Sequence, residues 1–373
     1  MKIGTVREIK KHEYRVGLTP ACVRAYIKRG HEVFVEAGAG TSAGFGNEEY
    51  RRAGAVIEPN RNRIFDACDM IIKVKEPQPE EIPHFHEDQI LFTYLHLAAS
   101  KELTLALMEK KIKAVAYETI ETADGTLPCL VPMSEIAGRL AVQEGAKYLE
   151  KPFGGRGILL GGVPGVRRGK VAILGGGVVG TNACKIATGI GADVCILDVD
   201  ARRLAYLDDI FGSSINTLYS NDANIEAVLE ESDVVIGAVL VHGGKAPKLI
   251  HREHLSRMKP GAVIVDVAVD QGGCAETTEP TTHDTPIYTM DGIVHYAVAN
   301  MPGAVALSST IALTSATLQY GLKIAEHGVE QACRISEPVC KGINLYRGYC
   351  VYPNVAYDLD IEYTPLESII ENT

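Results

Sequence analysis

A run of glycines constrains this chain most: Gly175-Gly176-Gly177-Val178-Val179-Gly180. It follows the apolar run Val171–Leu174 and precedes a helix-like segment, so it reads as a strand-to-helix turn of the G-x-G-x-x-G kind. Asp198 closes the next strand-like run about 20 residues further on. Each part suits a dinucleotide. Gly175 permits a tight turn, Gly177 lets backbone approach a pyrophosphate, and Gly180 lets helix and strand pack closely. The helix start at Val178–Val179 offers unpaired N–H groups and a positive dipole end to phosphate. Asp198 can accept hydrogen bonds from both ribose hydroxyls, and its charge opposes a 2′-phosphate, so the pattern predicts NAD over NADP; Arg202 and Arg203 soften that repulsion. The bland alternative is a structural glycine turn. A second run, Gly38-Ala39-Gly40-Thr41-Ser42-Ala43-Gly44, has one residue too many and no clear helix behind it, and reads as a loop.

The rest of the chain provides a setting for such a turn. Its 373 residues suit two domains or three, and 46% hydrophobic with 23% charged residues is the balance of a globular protein with a core. A net charge of −10 argues against nucleic acid or an anionic membrane as partner. The nine cysteines are odd in number and form no CxxC pair, which argues against a zinc site and against a disulfide framework. His251 and His254 have no third ligand beside them, so no metal is expected. The N-terminus lacks the apolar core of a signal peptide, and the weakly polar stretch from Gly303 to Leu318 is too short and too rich in Ser and Thr for a membrane span. A reducing cytoplasm is the expectation.

Strand-like and helix-like segments alternate, which predicts α/β architecture with parallel sheets. Strands are expected at Lys2–Arg7, Glu32–Glu36, Met70–Val74, Ile90–Leu95 and Ala114–Glu118, with helices at Pro20–Arg29, Asn47–Ala53 and Lys101–Lys111. A second series, with strands at Val171–Leu174, Val194–Asp198, Ile215–Leu218, Val234–Val239, Val263–Val267 and Ile287–Thr289, lies between two long helices, Ser134–Glu150 (with Ser134 as N-cap) and Val305–His327. The expectation is two Rossmann-like domains joined by those helices with a cleft between them. Residues 1–129 plus 307–373 would form a discontinuous substrate domain, and 130–306 the NAD-binding domain. The tail from Glu337 onward reads as irregular.

Open parallel sheets bind ligands beyond the carboxyl ends of their strands. That rule selects Arg15 after the first strand, Lys75 after Met70–Val74 and His96 after Ile90–Leu95. In the second series it selects Asp270 and Asn300. Arg can grip a carboxylate through two nitrogens, Lys adds a cation beside a carbonyl oxygen, and His titrates near neutrality. A carboxylate orients water or stabilises a cationic imine. Together these suit hydride removal from a carbon bearing an amine and a carboxylate, then imine hydrolysis to a 2-oxo acid and ammonia. Bland readings stand beside these. Arg15 could pair with Glu8 or Glu13 at the surface, Lys75 could be a solvated strand end, His96 a core histidine, and Asp270 a turn cap.

The segment Gly4-Thr5-Val6-Arg7-Glu8-Ile9-Lys10-Lys11-His12-Glu13-Tyr14-Arg15-Val16-Gly17-Leu18-Thr19-Pro20 resembles the N-terminal signature shared by alanine dehydrogenases and the NAD-binding part of proton-translocating transhydrogenases. Lys170–Asp198 resembles their second signature. Tyr94-Leu95-His96-Leu97-Ala98-Ala99, Gly161-Gly162-Val163-Pro164-Gly165-Val166, and Asp266–Cys274 with Thr281-Thr282-His283 resemble alanine dehydrogenases specifically. The likeness runs from Met1 to about Pro365. It implies NAD-linked oxidative deamination of L-alanine to pyruvate and ammonia, and the reverse amination. It also implies substrate binding by Arg15 and Lys75, acid/base work by His96 and assistance by Asp270. NAD contacts would come from Ser134, Gly175, Gly177, Val178, Val179, Gly180, Asp198, Arg203, Ser220, Val239, Leu240, Val267, Ala268, Val269, Asp270, Val298, Ala299, Asn300 and Met301. The family is usually a homohexamer. One departure is Glu279, where the family pattern has a basic residue. Rival readings are a soluble transhydrogenase-like NAD-binding subunit, a saccharopine-type dehydrogenase and a non-enzymatic NAD sensor. The setting of His96 favours the dehydrogenase over the first.

Overall fold

The computed structural model describes residues 1–239 and 246–370. The chain forms two compact units, Met1–Met133 with Gly303–Thr373, and Ser134–Pro302.

The first unit opens with six strands: β1 (Lys2–Thr5), β2 (Glu32–Glu36), β3 (Val56–Glu58), β4 (Met70–Ile72), β5 (Ile90–Thr93) and β6 (Lys113–Ala116). All are parallel, in the order β6-β5-β4-β1-β2-β3. The chain therefore winds outward from β1 to β3, returns to β4 on the other side of β1, and winds out again to β6. The reversal between β1 and β4 is a topological switch point, where the loops at the carboxyl ends part and leave a crevice. Apolar residues on one face of this sheet, among them Val6, Leu91 and Ala114, pack on Phe65, Leu107 and Val355.

The second unit repeats the plan with β7 (Lys170–Leu174), β8 (Asp193–Asp198), β9 (Ile215–Tyr219), β10 (Val234–Gly237), β11 (Val263–Asp266), β12 (Ile287–Met290) and β13 (Ile293–Tyr296). Their order is β12-β13-β11-β10-β7-β8-β9, with only β12 antiparallel, and the switch point falls between β7 and β10. The pair β12–β13 is a hairpin turned by Asp291 (φ 49°) and Gly292 (φ 81°), an Asp-Gly pair suited to a two-residue turn with both φ positive. That dipeptide was the sequence signal for β13. The stretch Tyr296–Ala299 is not a strand; only Tyr296 belongs to β13, and Val298 makes a single bridge to Thr281.

The chain then returns to the first unit through the helix Ala306–Ile335, which runs past the expected end at His327 and changes direction at Gly328 (φ 71°, ψ 167°). The segment Met301–Ile335 is long and apolar enough to cross a membrane by length and composition, unlike the shorter stretch weighed from sequence, and half of its apolar window is buried inside the protein. Gly321 lets this helix lie against Tyr26 and against Phe92 of β5. The tail is not irregular: β14 (Ile343–Tyr346) and β15 (Tyr349–Cys350) extend the first sheet antiparallel beyond β6, and short helices follow at Pro353–Leu359 and Leu366–Ile370. Arg347 (φ 49°) and Gly348 (φ 92°) turn that hairpin. Cys333 and Cys340 are joined by a disulfide where the long helix ends, a single link where the sequence argued against a disulfide framework.

Ser134 is not an N-cap. Its helix is Val131–Tyr148, begun by a turn at Leu127–Val131, with Pro132 in the first turn where no N–H is needed. The expected strands overran the exits of β1, β4, β5, β6, β10 and β11 by one or two residues.

Candidate active site

In the second unit the glycine loop links β7 to the helix Val178–Ile190. Gly175 has φ 103°, closed to most side chains, and a Cβ there would meet the Ala238 carbonyl oxygen at 2.7 Å. A Cβ on Gly180 would overlap the Gly175 carbonyl oxygen. Gly177 differs: it precedes the helix as its N-cap, and a Cβ there would meet nothing within 4 Å. The helix N-terminus behind Gly177 is therefore open, as a pyrophosphate requires. Gly138 brings the helix Val131–Tyr148 against the Val179 carbonyl oxygen, where a Cβ would overlap.

Asp198 ends β8 and shapes this loop. Its Oδ2 accepts from the Gly176 N–H at 2.6 Å and its Oδ1 from the Asp200 N–H at 2.8 Å. Arg203 locks the loop from the other side, donating to the Gly176 carbonyl and to Thr181 Oγ1, both at 2.5 Å. Ser220 follows β9, Val239 lies two residues beyond β10, and Val267–Val269 begin the turn after β11. Val298–Met301 follow β13, with Asn300 at φ 63°. These positions share the carboxyl edge of the sheet; Ser134 sits in the helix Val131–Tyr148, and Leu240 lies outside the described residues.

Asp270 is exposed in the turn Val267–Gln271 and does not cap it. Asp266 does, and sequence reasoning missed it. Its buried carboxylate accepts from the N–H groups of Ala268 (3.1 Å), Cys274 (2.8 Å) and Ala275 (3.2 Å) and from the Thr278 hydroxyl. Three backbone donors within nine residues of one strand-end Asp tie down the loop that presents Asp270. Glu279 is exposed, and its N–H donates to the Tyr288 hydroxyl at 2.8 Å.

In the first unit Arg15, Lys75 and His96 follow β1, β4 and β5, three neighbouring strands beside the switch point. Arg15 is not a surface pair. It is 3% exposed, and Glu13 takes its Nε (2.7 Å) and Nη2 (2.5 Å), while Nη1 lies 3.0 Å from Met133 Sδ. One edge of the guanidinium is thus committed to Glu13. Gly17 lets this segment pass the Ile72 carbonyl, which a Cβ would meet at 2.6 Å.

Lys75 is half-buried, and its Nζ makes no ion pair among the described residues. Burial, and then the Arg15 charge, hold its ammonium below the usual lysine pKa. The buried ion pairs belong to its neighbour, Lys73, whose Nζ lies 2.9 Å from both Glu8 and Glu81. Burial opposes the Lys73 charge, but the two carboxylates outweigh it and raise the pKa. On Glu8 burial wins and pushes the carboxyl up.

His96 is exposed, which removes the core-histidine reading. Its backbone is left-handed (φ 48°, ψ 39°), uncommon for a residue with a Cβ. Tyr94 stacks on its ring, with centroids 5.9 Å apart and planes 19° from parallel, and donates its hydroxyl to the Cys129 carbonyl at 2.5 Å. Glu118 accepts the Leu95 and His96 N–H groups at 3.0 and 2.6 Å. The sequence signalled neither partner, since Glu118 lies 22 residues away on the exit of another strand.

Residues 4–137 match the family described as Alanine dehydrogenase/PNT, N-terminal domain, and residues 141–353 its C-terminal domain. The alanine dehydrogenase of Methanococcus maripaludis is 54% identical over 371 residues, 99% of this chain and all of that one. A solved L-alanine dehydrogenase superposes with a TM-score of 0.94 at 51% identity, covering 96% of this chain and 99% of the other. A transhydrogenase from Sinorhizobium meliloti shares the fold, with a TM-score of 0.81 at 23% identity over 95% of this chain and 99% of the other.

Proposed function

The chain belongs to the alanine dehydrogenase/PNT family, and from that premise we propose that it oxidatively deaminates L-alanine to pyruvate and ammonium with NAD, and runs the reverse amination. It is an NAD-dependent amino-acid dehydrogenase. The observation that carries the reading is the convergence of Arg15, Lys75 and His96 on three adjacent strand exits, in a chain alike over its whole length to alanine dehydrogenases.

The open helix start behind Gly177 and the turn at Gly175 fit NAD, which when bound supplies the two-electron acceptor. The backbone at Gly175, Gly177, Val178 and Val179 would hold the pyrophosphate, with Gly180 keeping the helix close, and Asp198 would meet the ribose hydroxyls. Ser134, Arg203, Ser220, Val239, Val267–Val269 and Val298–Met301 would line the rest of the NAD site. Arg203, already bound to the glycine loop, acts mainly by fixing its shape.

Arg15 holds the substrate carboxylate, and Lys75 faces the oxo oxygen. His96 takes a proton from the water that adds to the imine carbon and returns one to the departing amine. Asp270 stabilises the cationic imine and orients that water. Water excluded around such charges makes each interaction stronger than it is in solution. The 23%-identical transhydrogenase shares only the fold, and the exposed His96 has a task in alanine turnover that a coupling subunit does not require. A cytoplasmic homohexamer belongs to the same proposal, and light scattering tests the assembly.

Purified protein with NAD and L-alanine should produce NADH with equimolar pyruvate and ammonium. Tight NADH binding with no turnover of any amino acid would instead favour a sensor.

A further inference from the structure

Two carboxylates close the two strand exits that carry Lys75 and His96. Glu8, beyond β1, reaches the exit of β4: its Oε1 accepts the Val74 N–H at 2.6 Å and the Lys75 N–H at 3.3 Å. Glu118, beyond β6, reaches the exit of β5 and accepts the Leu95 and His96 N–H groups at 3.0 and 2.6 Å. Each acid comes from a strand next to the one it closes, so the two clamps flank β4 and β5 from opposite sides. In each case the two captured N–H groups are consecutive, and the second belongs to the candidate functional residue. Val74 and Leu95 are fully buried, so without these acceptors their N–H groups would lose hydrogen bonding away from water. At His96 the clamp also holds a left-handed backbone that is uncommon for a residue with a Cβ.

We infer that Glu8 and Glu118 are positioning residues for the reaction, Glu8 setting Lys75 for substrate binding and Glu118 setting His96 for proton transfer; this rests on the function proposed above. The other oxygen of Glu8 is tied to Lys73 at 2.9 Å, and Lys73 to Glu81, so this acid is anchored from behind by a buried triad. Glu118 is braced through its neighbour: Thr119 Oγ1 accepts from the Asn344 amide at 2.7 Å, at the start of β14. The Thr93 hydroxyl, donating to the Lys75 carbonyl at 3.0 Å, joins the two exits. Neither acid is assigned contact with substrate. Each acts through the backbone of the residue it holds, Lys75 or His96.

The test is a set of six full-length variants, Glu8 and Glu118 each to Ala, Gln and Asp, assayed with pyruvate, ammonium and NADH. Glu8→Ala should raise KM for pyruvate on the order of tenfold with little change in kcat, the loss of charge-assisted hydrogen bonds at a binding residue. Glu118→Ala should lower kcat on the order of tenfold and displace the pH–rate profile, with little change in KM. NADH affinity should be unchanged in both. At Glu118, Gln keeps an oxygen within reach of both N–H groups and should restore most of the loss; at Glu8 its amide NH2 must face either the Lys73 ammonium or the Val74 N–H, so rescue there is partial. Asp keeps the charge but not the reach and should resemble Ala, which preserves the test if an Ala variant fails to fold. In the wild-type protein the amides of Val74, Lys75, Leu95 and His96 should exchange slowly with deuterium. Rapid exchange there, wild-type kinetics in the Ala variants, or kcat and KM moving together in both without rescue by Gln would overturn the inference. A wild-type protein that never turns over pyruvate would instead refute the function beneath it.

Discussion

The two sheets share a winding plan and a switch point, but their carboxyl edges are built from different materials. The β7–β8 edge is made of backbone: Gly175, Gly177 and Gly180 bring main chain close, and a helix start supplies the donors. The β1–β4–β5 edge is made of charge, most of it buried: Glu13 on Arg15, Glu8 and Glu81 on Lys73, and half-buried Glu118 on the N–H groups of Leu95 and His96. A diphosphate needs many weak N–H donors over a wide surface. A small amino acid needs a few strong groups held in fixed positions, and each buried charge must itself be matched. On the function proposed above, one topology serves a large anionic cofactor and a small zwitterion by changing what stands at the strand ends.

Variants at each edge should separate the two tasks. His96→Ala should have the largest effect, lowering kcat by about 10²- to 10⁴-fold while NADH affinity measured by fluorescence stays near wild type. A loss of NADH binding in step with kcat would break the division of labour. Asp198→Ala should act on the other edge, narrowing the preference for NAD over NADP by about tenfold or more, as expected for charge-assisted hydrogen bonds to a ribose. An unchanged ratio of the two dissociation constants would remove Asp198 from the ribose.

Within the glycine loop, Gly180→Ala and Gly177→Ala sharpen the contrast between packing and access. The first forces a Cβ into the Gly175 carbonyl and should cost about 1–3 kcal/mol of stability, read as a lower Tm. The second meets no neighbour, so Tm should hold while NADH binding weakens. The smallest effect is expected at Lys75. Because burial and Arg15 lower its pKa, its ammonium is lost at a lower pH than an ordinary lysine's. KM for pyruvate should therefore rise early on the alkaline side, and Lys75→Arg should move that rise to higher pH. The same shift makes folding more favourable as pH climbs from the lowered pKa toward 10.5, since the unfolded chain binds more protons in that window.

The two edges were also unequally legible. The glycine loop and Asp198 were selected because the role proposed for them depends on local spacing, which a sequence displays directly. Arg15, Lys75 and His96 were selected by strand-end position, a rule that needs only approximate strands. Glu8, Glu118 and Asp266 were not singled out, because what they do is accept N–H groups from loops up to 67 residues away or from a turn whose shape no pattern announces. Strand β13 and the β14–β15 hairpin had signals, Asp291-Gly292 and Arg347-Gly348, that were outweighed by the irregular look of their surroundings. The reading of Ser134 as a cap failed because the turn at Leu127–Val131 starts the helix three residues before it.

The measurement closest to the central claim is the initial rate of NADH oxidation with pyruvate and ammonium, beside matched samples lacking ammonium or offering 2-oxoglutarate with lysine. Rapid oxidation that requires both pyruvate and ammonium is the expected result. Oxidation without ammonium would mark a simple oxo-acid reductase, turnover only with 2-oxoglutarate and lysine a saccharopine-type enzyme, and either would contradict the account.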